Sequence, residues 1–130
     1  MKGFGLAIEP LCGGAVRIAL RGELDLEHAY TFDAELRRVE ATSPDTLVLD
    51  LSELSFMDSC GLARLLAAHK RSRSAGRRLL LVRGSKVVQR LFTLAAVSEA
   101  FETVSEVPAH LRPAPAAPAA REEIAAAPEP

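Results

Sequence analysis

The chain has 130 residues, 48% hydrophobic and 25% charged, a size and balance that fit one globular domain and exclude disorder throughout. Its 16 Lys+Arg nearly cancel its 17 Asp+Glu, so recognition must come from specific contacts and not from bulk attraction to nucleic acid or an anionic membrane. Cys12 and Cys60 lack the paired spacing of a zinc site and the density of a secreted disulfide scaffold. No apolar run reaches the length of a membrane span, and MKGFGLAIEP has no signal-peptide core ahead of Glu9 and Pro10. The expected setting is the cytoplasm, with both thiols reduced.

Taken in chain order, Leu6 to Leu11 is a weak strand candidate. Cys12-Gly13-Gly14 then provides a flexible connection to a clearer strand, in which Val16, Ile18 and Leu20 alternate with Arg17, Ala19 and Arg21. Asp25 can cap a helix whose first turn carries Glu27. Ala29, Phe32, Leu36 and Val39 form one stripe of that helix, and Ser43-Pro44 breaks the chain after it. Leu47 to Leu51, LVLDL, has the apolar continuity of a strand covered on both faces. A loop over Ser52 to Cys60 leads to a helix opening at Gly61, with Leu62, Leu65, Leu66 and His69 on one face and Gly76 as its stop. Leu79 to Val82 is another buried strand, Ser85 caps a third helix through Val87, Leu91 and Leu94, and Phe101 to Val104 is a last short strand. From Val107 onward Ala and Pro fill 15 of 24 positions, too little buriable surface to offset the entropy of ordering. These elements predict an α/β domain over residues 1–106, with a mixed, mainly parallel sheet of four to five strands packed with helices. Residues 107–130 are expected to be a disordered Ala/Pro tail, with a short helix through Arg121 to Ala127 as its one conceivable element.

The most informative stretch is Leu47 to Leu66, LVLDLSELSFMDSCGLARLL, in which a buried strand ends in a loop that opens a helix. In parallel sheets functional groups collect beyond the carboxyl ends of the strands. Spacing alone assigns Asp58 or Ser59 only the role of an N-cap. The run SFMDSCGL, together with RGELD at Arg21 to Asp25, resembles the anti-sigma factor antagonists of the STAS family, with the similarity of pattern extending over residues 4 to 105. That resemblance implies a non-enzymatic switch without a cofactor. The unmodified antagonist binds an anti-sigma factor that is also a serine kinase and so frees a sigma factor. The kinase then phosphorylates the serine after the loop aspartate, here Ser59, and a phosphatase resets it. The partner surface implied is Glu23, Asp25, Met57, Asp58, Ser59, Cys60, Gly61 and Arg64. Within it Asp58 orients or caps the loop, Gly61 lets a partner backbone approach, and Met57 plugs the core or lies at the contact's rim. For Asp25, capping is an equal alternative. Cys60 stands where the family carries a second hydroxyl residue.

Other signals carry less. Nine bases and no acid lie between Asp58 and Glu99, while residues 23 to 58 hold ten acids, so the two regions can complement each other in the fold. Aromatics are 5% of the chain and none interleave these bases, which disfavours single-strand nucleic-acid stacking. A thiol at a helix N-terminus can be reactive, so a Cys60 sensor or enzyme is a rival reading. His69 is a poor base for it, because nine residues along a helix is about 13 Å and the opposite face. Ser59 lacks the Gly-x-Ser-x-Gly setting of a hydrolase nucleophile, there is no phosphate-binding Gly-Lys loop, and the three histidines lack metal spacing. A further alternative within the family is a STAS subunit of a stress-sensing or lipid-transport assembly.

Overall fold

A computed structural model describes residues 3–113 and 121–125. Strands β1 (Phe4–Pro10) and β2 (Ala15–Leu24) form an antiparallel hairpin, followed by helix α1 (Leu26–Glu40), β3 (Thr46–Met57), α2 (Ser59–Ala75), β4 (Arg78–Val82), α3 (Lys86–Leu94) and β5 (Glu102–Val104). A final strand, β6 (Glu122–Ala125), completes one sheet of order β5-β4-β3-β2-β1-β6. The pairs β2–β3, β3–β4 and β4–β5 are parallel, whereas β1 is antiparallel to both β2 and β6. This is the α/β architecture expected, with six strands where four to five were anticipated. The added strand lies in the Ala/Pro-rich segment, where Glu122 to Ala125 can extend along an existing edge without building a core of their own.

Alternation in the strands sorts the core. Leu6, Ile18, Leu20, Leu47, Leu49, Leu79 and Leu81 meet Phe32, Leu36, Leu62, Leu65, Val88 and Phe92 from the helices. Phe32 and Leu36 are fully buried, each contributing about 2 kcal/mol by area. Ala15, Val48, Leu80 and Val82 project to the opposite face and form a second cluster with Leu111. Leu111 lies in a single 3-10 turn, Ala109–Leu111, whose carbonyl accepts from the Cys12 amide at 2.8 Å. Thus residues just beyond the expected boundary at 106 cover the helix-free face of the sheet. The remainder of the expected tail, 114–120 and 126–130, lies outside the described residues.

Two boundaries differ from expectation around the loop Ser52 to Cys60. Residues up to Met57 belong to β3, and α2 begins at Ser59, not Gly61. The β2–β3 register shifts twice, between Ala19 and Arg21 and between Gly22 and Glu23, each time by one extra residue on β3. These bulges turn the burial pattern into Leu51, Leu54, Met57, a spacing of three that conceals the strand from a period-2 reading.

Candidate functional site

The parallel strands β2 and β3 end side by side, Leu24 opposite Met57, so the starts of α1 and α2 are neighbours. Asp25 caps α1: its Oδ1 accepts from the His28 amide at 3.1 Å and lies 2.8 Å from His28 Nδ1. Asp58 caps α2 and also reaches α1. Its Oδ1 accepts from the amides of Cys60 at 2.9 Å and Gly61 at 3.2 Å, while its Oδ2 accepts from the Leu26 amide at 3.0 Å. The Asp58 amide donates to the Leu24 carbonyl at 3.1 Å. One carboxylate therefore clasps two helix N-termini, where an anion is favoured by both dipoles.

Ser59 is the first residue of α2 and is exposed. Cys60, a free thiol, is half-buried. Gly61 and Met57 are buried. A Cβ on Gly61 would stand 2.8 Å from both Leu24 Cγ and Leu24 O, and 2.9 Å from Met57 Cγ. The close approach present at Gly61 is therefore to the backbone of its own chain, at the β2–α1 junction. Met57, 3% exposed, is a core plug and not a rim contact. Glu23 is half-buried, and its amide donates to the Gly3 carbonyl at 3.1 Å. Gly22 turns there with φ 84°, and any Cβ would collide with Gly3 O.

Beyond Ser59 a groove of about 720 Å³ opens between α1 and α2. Its walls are Leu26, Ala29 and Tyr30 on one side and Ser59, Cys60 and Ala63 on the other, with Asp33, Arg37 and Arg64 among its polar lining. Leu26 and Tyr30 are 72% and 86% exposed, and tyrosine is among the residue types enriched at the energetic centres of protein interfaces. The sequence reading missed both. Their signal was i,i+4 spacing off the Ala29, Phe32, Leu36 stripe. At its far end the helix pair is joined by Arg71, whose guanidinium donates to Glu40 at 2.6 and 2.9 Å. The basic run is thus partly complemented within the fold, whereas Arg64 forms no ion pair among the described residues.

Other candidates find different employment. Asp25, Glu27 and His28 bring ligand-type atoms within 4.8 Å of one another, but Asp25 is engaged in capping and the helix start opposes a cation. The ring of His69 packs edge-on to Phe101 at 5.3 Å between centroids. Among the described residues no helix is long and apolar enough to cross a membrane.

The third strand thus delivers Ser59 to a helix start capped by Asp58, and comparison with known proteins identifies the family to which this fold belongs. The STAS domain family model matches residues 12–110, and this chain belongs to that family. A Mycobacterium tuberculosis relative places it among the anti-sigma factor antagonists. The chain is 30% identical to the anti-sigma-F factor antagonist RsfB over 92 residues, 71% of this chain and 75% of that one. It is 34% identical to the anti-sigma-F factor antagonist RsfA of the same organism over 79 residues, 59% of this chain and 62% of that one. Among solved structures the fold matches the anti-sigma factor antagonist SpoIIAA in its unphosphorylated form, with a TM-score of 0.67 at 24% identity, covering 78% of this chain and 89% of that one.

Proposed function

We propose that this chain binds an anti-sigma factor with serine kinase activity through the start of α2 and the α1–α2 groove, and thereby frees a sigma factor. Phosphorylation of Ser59 by that kinase ends the binding, and a phosphatase restores it. The reading implies a cytoplasmic site of action and no enzymatic activity of the chain itself. The observation that carries it is the exposed Ser59 at the lip of a mainly apolar groove, on a helix start already capped by Asp58.

A phosphate there adds about 1.5 to 2 negative charges. The helix start tolerates an anion, and none of the cap bonds uses the Ser59 side chain, so the domain keeps its shape. The partner, in contrast, must desolvate that charge beside the Asp58 carboxylate. An unpaired charge in a closed interface costs about 3 to 5 kcal/mol, more than a hundredfold in affinity. Control is local and electrostatic, without a global change of shape.

The test is to isolate the tagged chain from its native host, identify the bound protein, and chase with ATP. The expected result is an ATP-binding kinase that leaves on ATP addition with phosphate on Ser59, and that stays bound to Ser59→Ala. Phosphate on a different residue, or a partner that stays on the unaltered chain after ATP addition, overturns the reading.

A further inference from the structure

We infer that the outer edge of β1 is a strand-addition site for an extended acidic and aliphatic peptide, and that residues 122–125 of this chain fill it as a displaceable occupant. This edge is separate from the switch, which lies at the end of β3, two strands away. An edge strand needs charge, proline or a bulge along its length to avoid templating another strand. β1 offers little of this: Phe4 to Ile8 are all buried apolar or glycine residues, and Pro10 stands only at its end. Glu9, its one charge, is bound to Arg17 at 3.2 Å.

The occupant shows what the edge accepts. Gly5, Leu6, Ala7 and Ile8 pair with Ala125, Ile124, Glu123 and Glu122, so alternate residues read opposite faces of the sheet. On one face Glu122 meets Arg38 of α1 at 3.0 Å, and Ile124 packs against the main core. On the other, Glu123 meets Arg21 of β2 at 3.3 Å. Two arginines, one per face, and an aliphatic site beside Leu6 therefore select a Glu-Glu-Ile pattern. Main-chain pairing supplies affinity and the side chains supply the choice, as in other strand additions.

The occupant is weakly held. It pairs with four residues of a seven-residue strand, and its ion pairs join side chains that are about half exposed, where water screens the attraction. Tethering keeps the segment in place through its high effective concentration. Short peripheral strands open at low free-energy cost, and a partner strand reaching Phe4 and Glu9 would gain pairing that residues 122–125 leave unused.

The test uses the full chain, a synthetic peptide of residues 118–127 (PAAREEIAAA) and the same peptide with both Glu replaced by Lys. Ile124→Asp combined with Glu123→Lys weakens the resident strand. Exchange of the edge-facing β1 amides should quicken by about tenfold or more while β3 amides keep their protection, and the peptide should bind this variant at least about tenfold tighter than the unaltered chain. The Lys peptide should bind the variant at least tenfold more weakly than the Glu peptide. A second variant, the Ile124→Asp chain carrying Arg21→Glu and Arg38→Glu, should reverse that preference. Unchanged β1 exchange, absence of peptide binding to the loosened chain, or equal binding of both peptides would overturn the inference.

Discussion

Replacing Asp58 with Ala removes the carboxylate that closes two helix N-termini at once. Loss of the α2 cap, formed with Cys60 and Gly61, costs about 1 kcal/mol. The bond to the Leu26 amide adds about 1 kcal/mol, below the roughly 1.5 to 3 kcal/mol of a buried bond to a charged acceptor because Leu26 is exposed and water can replace the carboxylate. The expected loss is therefore about 2 kcal/mol, or roughly 10 °C in Tm for a domain of this size. Asp58→Asn keeps one oxygen for α2 but turns its NH₂ toward the Leu26 amide, and should lose about half as much. Urea unfolding of the three proteins measures the totals, and hydrogen exchange at Leu26, Cys60 and Gly61 assigns them. An Ala variant within about 0.5 kcal/mol of the parent, the range of ordinary surface substitutions, would refute the clasp. So would unchanged exchange at Leu26.

Gly61→Ala should destabilise by about 1 to 3 kcal/mol in the same urea assay, because its methyl group overpacks the Leu24 backbone and Met57. A parent-like midpoint would show that α2 has room to move. For Asp50, burial pushes the carboxyl up, but hydrogen bonds from Ser52 and the Arg17 guanidinium outweigh it and hold it below its ordinary value. A carboxylate more acidic folded than unfolded stabilises fully above its unfolded value of about 4, and loses that contribution as pH falls through the lower folded value. The stability gap between the parent and Asp50→Asn should therefore be constant from neutrality to about pH 5 and narrow below about pH 4; a constant gap down to pH 2 contradicts the Arg17 pairing. Cys60→Ser should leave ATP-driven release intact, since the Asp58 bond uses the Cys60 amide, and a loss of release would favour thiol chemistry instead.

The pattern of the sequence made the centre of the fold legible and left its margins obscure. Val16-Ile18-Leu20 and LVLDL announced the strands because their periods match the faces they bury. Asp25, Ser85 and Gly76 marked helix ends because capping is local chemistry. The last third of β3 was hidden by two bulges, which are set by pairing with β2 and leave no period of their own. β6 was hidden because its four residues gain order from an edge formed more than a hundred positions earlier. At the site, Asp58 and Ser59 were readable from the motif. The second reach of Asp58, to Leu26, was not, since it depends on two parallel strands ending together. Gly61 illustrates the same limit: its place at the helix opening was readable, but only tertiary structure shows that Leu24 and Met57 occupy the space a Cβ would need.

The most direct test of the switch is calorimetric titration of the purified anti-sigma partner with the unmodified chain and with the chain stoichiometrically phosphorylated on Ser59. A hundredfold or greater weakening by the phosphate, with core amide spectra unchanged, is the predicted result. Equal affinity for the two forms would contradict it.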